Sequence, residues 1–336
     1  MSPVGLGIWV AYPGAVEGGD WGRRAERLAE NPALQWIALR SGGTHRAISS
    51  AELEKWIALA RGAGAKLLTW HYSYPADVDA QAEHVGSLLA EGVDGHVIDA
   101  EAEWERALAR RDTTADAQAL GAAIRDIAGA DHYIAHAPLA IMRYHSSFPY
   151  GAFAGFCDAV HPQAYWTEIG WSMPATCNKV DIDFGAFNAD FPAIARPICP
   201  IGVTYGHGSS YGNPPGLLSS GDVQGFAARY RARPAASFYS WEAAGAAFWA
   251  GLSASVPHAR PAPRLVTARD IQAALTLIAR YRHDPLLDPL GVDNVWGPRS
   301  QRALEAFEHW EGLPVGGPIT DATRALLSAA VQAIPA

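Results

Sequence analysis

Short apolar runs and helix-patterned segments alternate eight times over residues 1–255, and this repeated grammar restricts the fold more than any other feature of the chain. The runs are Leu6–Val10, Trp36–Leu39, Lys66–Trp70, His96–Ile98, Tyr133–Ala135, Ala159–Ala164, Ile198–Val203 and Ser237–Trp241. Helical patterns follow each of them: Trp21–Glu30, Ala51–Ala63, Val78–Glu91, Thr114–Ala128, Tyr150–Gly155, Phe184–Ile194, Ser220–Ala232 and Ala243–Ala254. In the second, Leu53, Trp56, Ile57 and Ala60 recur at helical spacing behind the N-cap candidates Ser49 and Ser50. Eight strand–helix units in a segment of this length predict an α/β fold, a (β/α)8 TIM barrel. A doubly wound open sheet is the competitor. No G-x-G-x-x-G follows the first run, which argues against its dinucleotide-binding form.

Val256–Arg264 reads VPHARPAPR, a proline-rich stretch expected to act as a stiff linker between residues 1–255 and 265–336. Beyond it the pattern is helical. Thr267 and Asp270 form a capping-box pattern ahead of Ile271, Leu275 and Ile278. Ala303, Leu304 and Phe307 mark a second helix, which Gly312 can end, and Leu326 and Leu327 a third. A small all-α three-helix domain is expected.

The fourth apolar run ends in Asp99-Ala-Glu101. Residues two apart on a strand face the same way. At the end of a buried strand such a pair of carboxyl groups costs stability unless something uses it. Glycosidic cleavage needs one acid to protonate the leaving oxygen and one carboxylate to manage developing positive charge. Barrel enzymes build their sites at the C-terminal ends of the strands. Arg40, His71, Tyr72, His136, Gln163, Tyr165, Tyr205, His207, Trp241 and Glu242 all fall near that rim. Glu103 and Glu105 read as surface residues of the next loop, and Asp94 as a shaper of the turn before it.

The net charge of −8 argues against nucleic acid or an anionic membrane as the main partner. Twelve Trp and twelve Tyr are a heavy aromatic load, suited to a core and to the apolar faces of sugar rings. Three cysteines without CxxC spacing suggest free thiols. The opening MSPVGLGIWVAYPG lacks a basic n-region, so synthesis without a signal peptide is expected, with release by another factor if the target lies outside the cytoplasm. No run approaches the roughly 18 apolar residues of a membrane span.

The tail, with LVTARDIQAAL, DNVWGPRSQRALEAFEHWEGL and GGPITDATRALL, resembles the three-helix peptidoglycan-binding domain of cell-wall hydrolases. Asn294, Trp296, Ser300 and Glu308 stand where that family usually has Gly, Phe, Thr and Gln. DGHVIDAE, Asp94–Glu101, resembles the family-18 chitinase pattern D-G-x-D-x-D-x-E, with Val97 at the middle Asp. Asp99-Ala-Glu101 is also similar to the strand-four D-x-E of family-25 lysozymes. Together these resemblances imply an endolysin-like, bacteriolytic peptidoglycan hydrolase of phage or prophage type.

The implied roles are Glu101 as general acid, Asp99 orienting a 2-acetamido group, and Tyr165 supporting it. Gln163, Trp241, Glu242, His71 and Arg40 would bind substrate, with Trp241 as floor of the cleavage subsite and Glu242 the alternative second carboxylate. The expected partner is bacterial peptidoglycan and the expected state a monomer, without cofactor or metal. Two other readings stand beside this: a metal-dependent amidase or deacetylase drawing on scattered histidines, and a wall-binding protein without chemistry. Neither H-x-H after strand one nor H-E-x-x-H is present.

Overall fold

The computed structural model describes residues 2–42, 48–206, 218–231, 233–255, 267–282, 284–290, 292–293, 295–311, 313, 315–316 and 319–332. His207, the 256–264 linker, Asn294 and Gly312 lie outside them. The chain divides into two compact units, Met1–Ser255 and Val256–Ala336.

The first unit carries eight parallel strands: β1 Gly5–Val10, β2 Leu34–Gly42, β3 Lys66–Ser73, β4 Gly95–Ala100, β5 Tyr133–His136, β6 Ala159–Val160, β7 Ile201–Val203 and β8 Ala235–Tyr239. They pair in the order β6-β5-β4-β3-β2-β1-β8-β7. Parallel bridges Val160↔Ile198 and Gln163↔Ile201 then join the two ends of the sheet and close the ring. One main helix follows each strand: α1 Trp21–Glu30, α2 Ser50–Gly62, α3 Val78–Ala90, α4 Thr114–Ala128, α5 Tyr150–Phe156, α6 Met173–Asp190, α7 Ser220–Tyr230 and α8 Ala246–Ser255. This is the predicted barrel.

Local chemistry sets the helix starts. Asp20, Ser49, Ser172 and Ser219 each accept a backbone N–H of the first turn, satisfying donors the helix cannot pair itself. α6 begins well before the expected Phe184, because Ser172 caps it and Pro174 sits in the first turn, where its missing N–H costs nothing. Asp94 pairs across to β3, its Oδ2 accepting the Leu67 N–H at 2.9 Å and its own N–H donating to the Leu67 carbonyl at 2.8 Å. At Gly95 a Cβ would come within 2.6 Å of the Tyr133 carbonyl oxygen, so β4 and β5 approach as they do only because this residue has no side chain.

Strand alternation separates two cores. Trp36, Leu68, Trp70, Val97, Tyr133 and Ala135 fill the barrel interior, while Ile37, Leu39, Leu67, Ile98 and Ile134 join the helices outside. Val97 is fully buried within that inner apolar layer. A carboxylate there would be desolvated beneath Asp99, and valine avoids that cost. The three cysteines are free and buried. No helix among the described residues is long and apolar enough to cross a membrane.

In the second unit, α9 Ala268–Arg282, α10 Pro298–Trp310 and α11 Asp321–Gln332 bury Ile271, Leu275, Ile278, Leu304, Phe307 and Leu327 in one cluster. The Thr267–Asp270 capping box forms in both directions. The Gln272 amide donates to Asp293 Oδ1, the Val295 carbonyl and Ser300 Oγ, each at 3.0 Å, tying the turn before α10 to α9. Buried Glu308 accepts the Thr323 hydroxyl at 3.2 Å.

Candidate active site

The inward-facing residues of the strands climb from the apolar interior to a polar mouth. On β2 the series is Trp36, Ala38, Arg40; on β3 it is Leu68, Trp70, Tyr72; along β4 and just past it, Val97, Asp99, Glu101. Arg40, Tyr72, Asp99 and Glu101 line a cavity of about 770 Å³ together with Gln163, Tyr165 and Tyr239.

Gln163 links the two acids. Its Nε2 donates to Asp99 Oδ1 at 2.9 Å and to Glu101 Oε1 at 2.8 Å. Tyr72 has one phenolic proton, which serves Glu103 Oε2 at 2.6 Å, leaving a longer contact of 3.4 Å to Glu101 Oε2. Burial drives the Asp99 carboxyl well above its ordinary range, and the adjacent Glu101 charge adds to it. Burial also raises Glu101 and the Glu103 charge adds to it, while the hydrogen bond from Gln163 pulls it partly back. Both carboxyls are thus shifted toward the protonated form, Asp99 the more strongly.

Aromatic rings floor the cavity. Tyr165 stacks on Tyr239 with centroids 5.5 Å apart and planes 27° apart. Trp9 lies 5.5 Å from Trp70, and Trp70 lies 6.2 Å from Tyr239. Burial holds the Tyr165 phenol protonated well beyond its ordinary range. Tyr205 donates to Glu168 Oε1 at 2.6 Å at another part of the wall.

Of the eight expected site residues, Asp99, Glu101, Gln163, Tyr165 and Arg40 meet in this cavity, whereas His71, Trp241 and Glu242 do not line it. His71 follows inward-facing Trp70 and points outward. There its Nδ1 lies 2.7 Å from His96 Nε2 and its Nε2 lies 3.1 Å from Gln81 Oε1, and burial lowers its pKa to about 4. β8 ends at Tyr239, and Trp241 opens a 3₁₀ turn. Its ring packs edge-on against Trp56 and Trp249, outside the ring of strands, and its Nε1 donates to Glu17. Glu242 accepts the Ala11 N–H at 3.2 Å and borders a separate hollow with Arg27 and Trp249.

Tyr239, two residues upstream, takes the place expected of Trp241. With Tyr72, Trp9 and Trp70 it was readable from period-two alternation once the strand register was known. Glu103 and Glu105 are not free surface residues: Glu103 accepts from Tyr72, and Glu105 Oε1 lies 2.7 Å from His145 Nδ1. His136 faces away from the interior, stacked 5.2 Å from Phe153. Among the described residues no three His, Cys, Asp or Glu side chains gather as a metal site.

Among solved structures, the fold is similar to a glycoside hydrolase family 18 N-acetylglucosaminidase from Paenibacillus barengoltzii. The two chains are 11% identical, with a TM-score of 0.53 over 75% of this chain and 100% of that one. It is similar to a chitinase from Rhizomucor miehei at 13% identity, TM-score 0.51, over 74% and 99% of the two chains. The Bacillus cereus spore cortex-lytic enzyme SleL matches at 10% identity, TM-score 0.53, over 74% of each chain. At these identities the likeness is one of fold. No family model matches the sequence, and no curated protein matches it.

Proposed function

We propose that the barrel hydrolyses glycosidic bonds beside N-acetylated sugars of peptidoglycan, with Glu101 as general acid and Asp99 steering the substrate's own 2-acetamido group. The observation that carries this reading is the pair of adjacent acids Asp99 and Glu101, bridged by Gln163 in an aromatic-lined cavity. The acetamido N–H would hydrogen-bond Asp99, leaving the acetamido oxygen free to attack the anomeric carbon, while protonated Glu101 gives its proton to the leaving oxygen. Tyr165 and Tyr239 offer flat faces and phenolic hydroxyls to the sugar. Glu242 lies outside the cavity, which removes the support for an ordinary pair of carboxylates on opposite sides of the cleft and favours substrate assistance.

The fold likeness to chitin- and cortex-acting enzymes is compatible with this chemistry, and the three-helix unit, by its sequence resemblance, is the wall-binding part. A glycosidase barrel joined to such a unit fits a phage or prophage endolysin. The test is digestion of purified peptidoglycan followed by mass spectrometry of the products. New reducing amino sugars are expected from the wild type. Glu101→Gln keeps volume and hydrogen-bonding shape but loses the transferable proton, so it should lower the rate by about 10²–10⁴-fold. New amino groups without new reducing ends would refute the reading.

A further inference from the structure

Arg40 is the one lysine or arginine bordering the cavity among the described residues. It is half-buried, and its guanidinium lies 5.2 Å from the centroid of the Trp70 ring. Its Nε reaches the Gly42 carbonyl at 3.4 Å, and it forms no ion pair with a described carboxylate. A guanidinium has five N–H donors, so most of its capacity is unspent among the described residues. Its positive charge is felt at Asp99 and at Tyr239, so it acts on the same cavity. Yet the two acids take their hydrogen bonds from Gln163 and Tyr72 rather than from Arg40. A countercharge for the acids would be paired with them; this cation is held apart on an indole face.

A partly desolvated cation without an anion costs stability. A neutral glycan would leave that cost standing. A carboxylate on the sugar would offset it through two parallel N–H···O bonds, a geometry the planar guanidinium is built for. Resting on the glycosidase reading above, we infer that Arg40 anchors a carboxylate carried by the bound sugar chain. The substrate class is then an acidic N-acetylated glycan, such as one bearing the lactyl ether of muramic acid or a uronate, rather than a neutral chitin-type polymer.

Calorimetric titration of the full chain tests this independently of cleavage. The Glu101→Gln background prevents turnover, and the probes are N-acetylglucosaminyl-N-acetylmuramic acid, the same disaccharide with its carboxyl reduced to an alcohol, N,N′-diacetylchitobiose, and an N-acetylglucosaminyl-glucuronate. The muramic acid form is expected to bind at least about tenfold tighter than its reduced form, a preference that Arg40→Gln abolishes. Tight binding of the glucuronate as well would assign recognition to the carboxylate alone; weak binding would assign it to the lactyl position. Equal binding of acid and reduced disaccharides, or a preference surviving in Arg40→Gln, overturns the inference. The three-helix unit is the same in both variants, so the barrel's part is read by repeating the titrations on chains ending at Ser255. A failure of the glycosidase reading is seen separately, as an absence of new reducing ends.

Discussion

Asp99 is a carboxyl placed where its charge is least welcome. It is buried, faces Glu101, and is held by Gln163 rather than by a cation. A folded-state pKa raised above the unfolded value means that the fold favours the neutral form. Its contribution to stability is full below about pH 3.9, the unfolded value, and is lost as pH rises through the folded pKa. Asp99→Asn keeps an oxygen for Gln163 and an N–H for Glu101 and removes the charge. The variant is expected to melt higher than wild type at pH 8, with the gain shrinking toward zero at pH 4, while cleavage is lost. A pH-independent difference in melting temperature would show that Asp99 ionises freely. Tyr239 is the other residue to test, since it stacks on Tyr165 at the cavity floor. Tyr239→Ala should weaken saccharide binding by about tenfold or more, whereas Trp241→Phe should leave it nearly unchanged, as titration with a soluble oligosaccharide would show.

At the scale of elements, alternation along a strand decides what each side chain can do. His71 and Tyr72 are neighbours in sequence, but one joins a histidine pair behind the barrel wall and the other reaches the acids. The β4–β5 contact depends on Gly95. Gly95→Ala pushes a methyl group against the Tyr133 carbonyl and is expected to cost about 1–3 kcal/mol, read from chemical denaturation, and to reduce activity by shifting the strand that carries both acids. Ser172→Ala removes the cap of α6 and should cost about 1 kcal/mol without changing the site. The helices were legible in the sequence because caps and apolar spacing are local. The start of α6 was not, since its burial pattern is weak and its cap lies ahead of the periodic stretch.

At the scale of the whole molecule, burial lowers the pKa of five histidines, His84 among them. His71 falls to about 4, His136 and His161 to about 3, and His96 lies well below its ordinary value. A base depressed in the fold contributes stability above its unfolded pKa near 6.5, and that contribution is lost as pH falls toward the folded value. Five such groups oppose the two raised carboxyls. The melting temperature of the barrel is expected to fall steadily from pH 6.5 to pH 4, which calorimetry at stepped pH would measure. A flat profile would mean that these histidines remain hydrated. The two compact units also imply that a chain ending at Ser255 should fold and cleave soluble oligosaccharides while losing retention on insoluble walls. Aggregation of that fragment would instead point to a shared core.

The order of strands and helices, the place of Asp99 and Glu101 at the end of the fourth strand, and the three-helix character of the tail were all set by the amino-acid sequence, because period, caps and apolar runs act over a few residues. Tertiary structure alone settled which rim residues meet. Arg40, Gln163 and Tyr239 come from strands far apart in the chain, and their convergence depends on ring closure and on where each strand ends. How far each acid is shifted depends likewise on burial and on the donor that Gln163 brings from elsewhere in the chain. Burial and hydrogen-bond geometry are properties of the folded ring, and no local pattern encodes them.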